Sequence, residues 1–231
     1  MNEVLRQEKK YLMNVLDTHK MINRLEQIML QDPHNGAEGY RIRSLYFDTP
    51  FDQDFYEKVE GLHLRKKIRL RCYGPDADFA MLEMKQKEGM YQKKRSLRMK
   101  REDAQELIRG NFVVLQKYRE DFAAECYGLM CGKVYRPKTV VEYQRKAFIG
   151  KENKIRITFD SKIIATESSY DIFSKQLAMY SVLDPFQAVL EVKYNGFLLS
   201  YIKNIINSAD RAEISVSKYC LARSAGIPYC I

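Results

Sequence analysis

Apolar and charged positions alternate through the middle of the chain. At 65–71 the odd positions are all Arg or Lys, whereas Ile68, Leu70 and Cys72 occupy the even positions. The same alternation returns at 81–87, 154–160 and 190–194. Because successive side chains of a strand point to opposite faces, each segment predicts a strand with one apolar and one charged face.

The remaining pattern predicts a mixture of strands and helices. Strands are predicted over 41–47, 64–73, 79–87, 91–99, 139–149, 154–160 and 187–194. Helical spacing of apolar residues predicts helices over 17–30, 102–109, 113–126, 198–207 and 217–225. No repeat or composition shift marks a boundary, so the sequence predicts one α+β domain over 1–231, dominated by an antiparallel sheet.

The overall charge changes how the charged faces are interpreted. The chain holds 39 Lys and Arg against 30 Asp and Glu, a formal net charge of +9. Each strand alone fits the solvent side of an antiparallel sheet. Taken together, neighbouring cationic strands would repel one another, and arginine suits bidentate phosphate binding. We therefore expect a polyanionic partner.

Two geometries would use such faces. A closed antiparallel barrel would turn the charged faces into a lumen and leave the apolar faces to the helices. An open platform would follow a nucleic-acid backbone, with exposed aromatic side chains stacking on the bases. Tyr73 and Tyr143 are the exceptions among charged faces that otherwise hold few aromatics. This favours the barrel and leaves a non-catalytic nucleic-acid-binding module as an alternative.

Several other chemistries lack their sequence motifs. No phosphate-binding loop, dinucleotide-binding glycine motif or zinc-protease motif is found. The five cysteines are irregularly spaced and no apolar run approaches the roughly 18 residues that cross a bilayer, so we expect a cytoplasmic protein with reduced thiols. A hard divalent cation takes oxygen ligands, which makes Glu191 a candidate, with Glu83 or Asp160 as alternates.

A family resemblance rests on eight short segments that occur in order. They are EKKY at 8–11, SLYFDT at 44–49, KIRLRCY at 67–73, LEMK at 82–85, EYQR at 142–145, RITFD at 156–160, LEVKY at 190–194 and SKY at 217–219. Together they resemble the catalytic domain of the vacuolar transporter chaperone (VTC) polyphosphate polymerases and their stand-alone bacterial relatives. The resemblance extends over nearly the whole chain.

The resemblance implies both a fold and an activity. The fold would be that of the triphosphate tunnel metalloenzymes, an antiparallel β-barrel with helices around the outside and a lumen lined with Arg, Lys and Glu. The activity would be that of an ATP:polyphosphate phosphotransferase, which transfers the γ-phosphate of ATP to a growing polyphosphate chain with Mn²⁺ or Mg²⁺. A triphosphate or polyphosphate phosphohydrolase of the same fold is the alternative.

The implied partners are ATP, polyphosphate, orthophosphate and pyrophosphate, and no nucleic acid. A separate membrane protein would be a further partner and would hold the chain at the membrane surface. The regulatory SPX domain and the membrane helices of the eukaryotic subunits have no counterpart in the 231 residues.

The resemblance also implies site residues. Lys10, Ser217 and Lys218 would be the catalytic residues, at the tunnel mouth or near the reacting phosphate, and Glu191 would hold the metal. Phosphate and ATP would be bound by Arg69, Arg71, Lys85, Lys94, Arg145 and Arg156. Lys93 is the alternative to Lys94, because a shift of one residue reverses the face.

One departure from the wider superfamily bears on the choice of activity. Its ExExK signature reads Arg6-Gln7-Glu8-Lys9-Lys10 here, so that Arg6 stands where the first Glu is expected. This departure weakens the prediction of metal-dependent triphosphate hydrolysis or cyclase activity, and it is compatible with polymerase activity.

Overall fold

The structure is a computed structural model that describes residues 6–89, 91–209, 211–215 and 217–226. Its strands are β1 Arg6–Asn14, β2 Leu30–Gln31, β3 Tyr40–Asp48, β4 Leu64–Cys72, β5 Phe79–Glu88, β6 Tyr91–Lys100, β7 Arg136–Ile149, β8 Arg156–Thr166, β9 Tyr180–Ser181, β10 Gln187–Asn195 and β11 Ala212–Glu213. Its helices are α1 Val15–Glu26, α2 Gln53–Val59, α3 Arg101–Ile108, α4 Asp121–Gly132, α5 Ser200–Asn207 and α6 Lys218–Gly226, with a 3-10 helix at Phe112–Lys117. The predicted α+β architecture is confirmed.

The chain forms two compact units, each built from three segments. Unit 1 comprises Met1–Arg41, Tyr143–Ile163 and Leu183–Val216, and unit 2 comprises Ile42–Glu142, Ile164–Val182 and Ser217–Ile231. In unit 1 the strand order is β11-β1-β10-β8 followed by the end of β7, and in unit 2 the start of β7 is followed by β3-β4-β5-β6. Within the described residues the order ends at β11 and at β6, so backbone pairing does not close the sheet into the barrel that the resemblance implies.

Each unit has its own hydrophobic core. In unit 1, β1, β8 and β10 contribute side chains such as Tyr11, Ile157 and Leu190, which pack with Leu25 of α1 and Ile202 of α5. In unit 2, β3 to β6 contribute alternate apolar side chains that pack against α3 and α4. The sequence prediction that the apolar strand faces are covered by helices is confirmed, and the charged faces are left on the opposite side of the same strands.

Several elements differ from the sequence prediction, which did not include α2 or the short strands β2, β9 and β11. The helix predicted over 113–126 is wrong, because the 3-10 helix ends at Lys117 and α4 begins only at Asp121. Tyr118 has extended backbone angles, and its hydroxyl donates to Asp103 over 2.8 Å. This residue therefore separates the 3-10 helix from α4. Strand β1 was not predicted, because Arg6–Lys10 places charged residues at successive positions and so lacks the period-two pattern.

Pairing and capping define β1 instead. It pairs with β10 along its whole length, from Arg6 opposite Asn195 to Asn14 opposite Gln187. Asn14 then caps α1, since its side chain accepts a hydrogen bond from the Asp17 backbone N–H over 2.8 Å. Once β1 is a strand of the sheet, charged residues that are adjacent in sequence, such as Lys9 and Lys10, lie on opposite faces.

A glycine brings a loop of unit 1 close to β7. Gly39 has a φ of +91°, and a Cβ there would lie 2.1 Å from the backbone oxygen of Arg145. No other residue fits so close to a neighbouring backbone. The loop that carries Asp32 and His34 is therefore held beside the charged face of unit 1.

Candidate functional site

The Glu83 cluster lies on the charged face of β4, β5 and β6 in unit 2. We define it as Glu83 with the five cations Lys67, Arg69, Arg71, Lys85 and Lys94. Arg69 lies directly opposite Glu83, and its Nε and Nη2 atoms are each 2.7 Å from Glu83 Oε2. Arg71 Nη1 lies 3.9 Å from the same oxygen, and Lys94 bonds to Oε1. One carboxylate thus orients three cationic side chains.

Electrostatics keeps this carboxylate ionised. Glu83 is buried, which by itself would raise its pKa, but Arg69, Arg71 and Lys94 outweigh burial and lower the pKa of Glu83 to about 2. Lys85 lies opposite Lys67 on one side and Lys94 on the other. The cluster therefore groups five cations on the strand face where one carboxylate contacts Arg69, Arg71 and Lys94, and such a cationic face suits a polyanion.

A stack of two tyrosines supports Arg69. Arg69 Nη1 donates to the Tyr46 hydroxyl over 3.3 Å, and the Tyr46 ring stacks on Tyr219 with 5.0 Å between ring centroids. The Tyr219 hydroxyl donates to Asp48 Oδ2 over 2.7 Å. Asp48 is fully buried and also accepts hydrogen bonds from the backbone N–H groups of three neighbouring residues. The guanidinium is thus held through an aromatic stack and a buried carboxylate.

Sequence reasoning did not assign a role to these residues. The SLYFDT and SKY segments were recognised, but Tyr46, Asp48 and Tyr219 were not proposed as site residues. Tyr46 and Asp48 share a strand face with Ser44, which accepts a hydrogen bond from Arg71 Nε over 3.4 Å. Residues 44, 46 and 48 alternate along the strand and so lie on the same face, and this spacing could have identified Tyr46 and Asp48 as site residues.

Ser217 and Lys218 lie at the start of α6 in unit 2. Ser217 is 7% exposed, and its Oγ is buried without a hydrogen-bond partner among the described residues. Its backbone oxygen accepts the first helical bond, from Leu221 N over 2.9 Å. The first turn of a helix leaves N–H groups unsatisfied and attracts anions. This helix start therefore offers an unused hydroxyl beside an anion-attracting terminus.

The Glu191 cluster lies on the charged face of β1, β7, β8 and β10 in unit 1. We define it as Glu191 with Glu8, Lys10, Arg145, Asp160 and Lys193. Cross-strand pairing places Lys10 opposite Glu191 and Glu8 opposite Lys193. Glu191 bonds to Lys193 and lies 3.9 Å from Arg145 Nη2, while Lys10 Nζ lies 3.3 Å from Glu8. Opposite charges alternate across this face.

Arg145 and Asp160 form the most buried ion pair of this cluster. Arg145 Nε and Nη2 each lie 2.7 Å from an oxygen of Asp160, which is fully buried. Burial would lower the pKa of Arg145, but Asp160 holds it well above its usual value. Because both oxygens of Asp160 accept from the guanidinium, this carboxylate acts as the counter-ion of Arg145.

Arg156 is held by a carboxylate that is distant in sequence. Its Nη2 atom lies 2.5 Å from Asp32 Oδ2 and 3.2 Å from the Tyr40 hydroxyl. The other Asp32 oxygen lies 2.8 Å from His34 Nδ1. Burial would raise the pKa of Asp32, but the hydrogen bonds from His34 and Arg156 lower it. The sequence analysis did not assign Asp32 to the site.

The carboxylates of unit 1 are candidate ligands for a divalent cation. No group of three or more His, Cys, Asp or Glu side chains that could hold a metal is found in the part of the chain that the structure describes. Glu8 and Glu191 are diagonal neighbours on the same face of β1 and β10. Mg²⁺ is often bound by one or two carboxylates together with substrate phosphates. The residues therefore fit a metal that phosphate oxygens would complete.

The predicted site residues divide between the two units. Lys10, Arg145, Arg156 and Glu191 belong to unit 1, and Arg69, Arg71, Lys85, Lys94, Ser217 and Lys218 belong to unit 2. Of the two lysines that the sequence could not separate, Lys94 contacts Glu83, whereas Lys93 pairs with Gln86. Among the described helices, none is long and apolar enough to span a bilayer.

The comparisons with solved structures concern the fold. An adenylyl cyclase-like protein from Hippeastrum, described as having a dominant triphosphatase activity, is 13% identical, with a TM-score of 0.59 and coverage of 96% of this chain and 97% of that chain. An adenylate cyclase-like protein from Bacillus halodurans is 11% identical, with a TM-score of 0.51 over 90% and 89% of the two chains. A chain of the Mediator head module of Schizosaccharomyces pombe is 7% identical, with a TM-score of 0.52 over 90% and 100%.

Family membership rests on the sequence. No curated protein matches the chain. At these identities the likeness to the first two solved structures shows a shared fold. The VTC domain matches residues 5–226, nearly the full length. The chain, with its two clusters of arginine, lysine and glutamate, therefore belongs to the VTC domain family.

Proposed function

We propose that this protein is a polyphosphate polymerase, which transfers the γ-phosphate of ATP to a growing polyphosphate chain in a reaction that requires Mn²⁺ or Mg²⁺. Membership of the VTC domain family supports a function in triphosphate or polyphosphate chemistry. The observation that carries the proposal is the Glu83 cluster, in which one ionised carboxylate contacts Arg69, Arg71 and Lys94 on a strand face that also carries Lys67 and Lys85.

The Glu83 cluster suits the binding of phosphates. Glu83 and Tyr46 fix the guanidinium of Arg69 before a ligand arrives, so less side-chain entropy is lost on binding. Phosphoryl transfer has a loose transition state with charge spread over phosphate oxygens, and it depends on positioning and charge neutralisation. Arg69 and Arg71 would supply directed donors, while Lys67, Lys85 and Lys94 would supply positive charge.

The catalytic assignments follow the same chemistry. Ser217 Oγ, which is buried and unpartnered among the described residues, would donate to a phosphate oxygen at the start of α6. Lys218 and Lys10 would balance charge as the β–γ bond breaks. Arg145 and Arg156 are proposed to bind further phosphates of the chain.

Glu191 and Glu8 would hold the divalent cation, which supplies Lewis-acid neutralisation of the phosphate oxygens. In the structure each carboxylate bonds to a lysine, Glu191 to Lys193 and Glu8 to Lys10. These lysines orient the carboxylates on one face of the sheet.

Hydrolysis of triphosphate is the second candidate function. It is favoured by the Hippeastrum protein, which shares the fold and is described as having dominant triphosphatase activity. The two functions differ in their products. A polymerase gives ADP and a chain that forms a ladder on a urea gel, whereas a phosphohydrolase releases orthophosphate.

The test is incubation of the purified chain with γ-labelled ATP and Mn²⁺, or with tripolyphosphate and Mn²⁺. We expect labelled polyphosphate from ATP and little orthophosphate from tripolyphosphate. Arg69→Ala and Arg71→Ala should lose activity, while Lys175→Ala, which removes a cation that is 75% exposed in unit 2, should keep it. Orthophosphate as the main product would favour the hydrolase, and no product from either substrate would refute both.

A further inference from the structure

A groove lies on the side of β1 and β10 that faces away from the Glu191 cluster. It has a volume of about 460 Å³ and is lined by residues of β1, β10, α5 and β11, all in unit 1. Lys9 and Tyr11 alternate along β1 with Lys10, and Val192 follows Glu191 along β10. Successive side chains of a strand point to opposite faces. A ligand in the groove would therefore not touch Lys10 or Glu191.

The groove carries a surplus of positive charge. Lys9, Lys203 and Arg211 line it, with Glu213 as the carboxylate among the lining residues. Within the described ranges none of these four side chains takes part in an ion pair, and Lys9, Lys203 and Glu213 are exposed. Among the described residues, the three cations that line the groove thus make no ion pair.

Arg211 is the fixed part of this wall. Its guanidinium lies over the Tyr11 ring at 4.6 Å, and Nη2 donates to Asn207 Oδ1 over 2.6 Å, while Nη1 bonds to the Ile206 backbone oxygen. Its buried Nε has no acceptor among the described residues. An arginine held in place by stacking is preorganised for an anion, because little side-chain freedom is left to lose.

The rest of the lining is apolar and aromatic. Phe197 is 65% exposed at one wall, and Leu198 and Tyr194 line the groove beside it. An exposed aromatic ring of this kind is suited to stack on a planar group. The volume falls within the roughly 300–1,000 Å³ of small-molecule sites. The groove thus joins a cationic wall to an aromatic wall.

We propose that this groove is a second site, which binds a nucleoside monophosphate. The phosphate would pair with Lys203, Lys9 and Arg211, and the base would stack on Phe197. Glu213 would accept hydrogen bonds from ribose hydroxyls, a role that acidic residues fill in dinucleotide-binding folds. An inorganic anion would leave the aromatic wall unused, and a neutral nucleoside would leave the cations unpaired.

The test is calorimetric titration of the full chain with AMP in EDTA, where metal-dependent turnover does not occur. We expect one AMP per chain, with adenosine and orthophosphate each binding at least about tenfold more weakly. Lys203→Met combined with Lys9→Met should weaken AMP binding by about tenfold or more, because two charge-assisted contacts are removed. Both lysines are exposed and make no ion pair in the described residues, so the variant should fold.

Two controls separate this site from the proposed polymerase site. Lys20→Met removes a cation that is 72% exposed elsewhere in unit 1 and should leave AMP binding unchanged. Arg69→Ala with Arg71→Ala should also leave it unchanged, whatever that variant does to activity. AMP binding that is lost in the arginine variant and kept in the lysine variant would overturn the proposal. So would an absence of binding at millimolar AMP, or equal affinity for AMP and orthophosphate.

Discussion

The two charged faces of this protein balance their charge in different ways. On the charged face of unit 1, four cations contact four different carboxylates: Lys10 contacts Glu8, Arg145 contacts Asp160, Arg156 contacts Asp32 and Lys193 contacts Glu191. In unit 2 a single carboxylate, Glu83, contacts Arg69, Arg71 and Lys94. The same alternation of residues along a strand has thus produced a face of separate ion pairs in unit 1 and, in unit 2, a cationic face on which one carboxylate contacts three cations.

The two faces use arginine differently, as one partner of a buried ion pair in unit 1 and as one of several cations on a shared carboxylate in unit 2. A buried ion pair is costly to break, because removal of one partner leaves a charge without compensation. A cation that shares its carboxylate with two others can be removed while the carboxylate keeps its partners. We therefore expect substitutions in the Glu191 cluster to affect folding and metal use, and those in the Glu83 cluster to affect the affinity for phosphates.

The largest effect is expected from Arg145→Met. It would leave the fully buried Asp160 without its bidentate partner, at a cost of about 3–5 kcal/mol in the free energy of unfolding. Chemical denaturation measures this. If adding Asp160→Leu restores part of the stability, the loss is caused by the buried carboxylate that no longer has its arginine partner. If Arg145→Met were no less stable than Arg69→Ala, the comparison of the two faces would be wrong.

Glu191→Gln tests the metal assignment in unit 1. If Glu191 holds the cation, turnover with Mn²⁺ should fall by more than about a hundredfold, because a ligand of the metal is lost. Binding of tripolyphosphate without metal should stay equal or tighten, because a repulsive charge is removed. Glu88→Gln, at an exposed position in unit 2, is the control. Substantial polymerisation by Glu191→Gln would make Glu191 a counter-ion of Lys193 and Arg145.

Arg69→Ala and Arg71→Ala test the cationic face of unit 2. Each removes a charge-assisted donor, and triphosphate affinity should fall by about tenfold or more. The fold should survive, because Glu83 keeps two of its three cationic partners in either variant. Titration with tripolyphosphate and a thermal melt measure the two quantities. Full affinity in both variants would place the ligand elsewhere.

Tyr219→Phe sharpens the account of how Arg69 is held. The hydroxyl that donates to Asp48 is lost while the ring stack on Tyr46 can remain. Loss of one hydrogen bond is worth about 1 kcal/mol, so triphosphate affinity should fall about fivefold. Tyr201→Phe, on the exposed side of α5, should have no effect. An unchanged affinity in Tyr219→Phe would mean that Tyr46 is positioned without the Asp48 anchor.

The last prediction is a dependence on pH that contrasts two carboxylates of unit 2. Burial raises the pKa of Asp54 to about 7, with Asp48 nearby and only partial compensation from Lys66 and Tyr135. Asp54 therefore binds a proton more tightly in the folded chain than in the unfolded chain, where its pKa is about 3.8, so its contribution to stability declines as pH rises toward 7. Glu83 has the opposite sign, since its pKa is about 2 and its contribution is lost as pH falls below 4.5.

Asp54→Asn isolates the first of these contributions. The variant should lose the decline in unfolding free energy between pH 4 and pH 7 that the wild type shows, within the range set by the values 3.8 and about 7. Denaturation midpoints measured across that range test this. Parallel profiles for the two proteins would show that Asp54 is ionised throughout, as Glu83 is.

The sequence determined which side of each strand is charged. At 65–71 and 81–87, side chains alternate with a period of two, and the faces that carry Ile68, Leu70, Leu82 and Met84 are the buried ones in unit 2. Because only one face can be apolar without a cost in exposed surface, the alternation fixes the orientation of a strand before any partner is known. The same reasoning missed β1, whose charged run 8–10 has no period until it pairs with β10.

The tertiary structure decided which charges meet. Asp32 and Arg156 lie 124 residues apart in sequence, and Asp48 and Tyr219 lie 171 residues apart, so no local pattern could connect them. The choice between Lys93 and Lys94 depended on the register of β5 and β6, which a slip of one residue would reverse. Side-chain period is a property of the chain itself, whereas cross-strand register and ion pairing depend on which strands become neighbours. For this reason the sequence could predict a charged face but not that Glu83 would contact Arg69, Arg71 and Lys94 while both oxygens of Asp160 accept from Arg145.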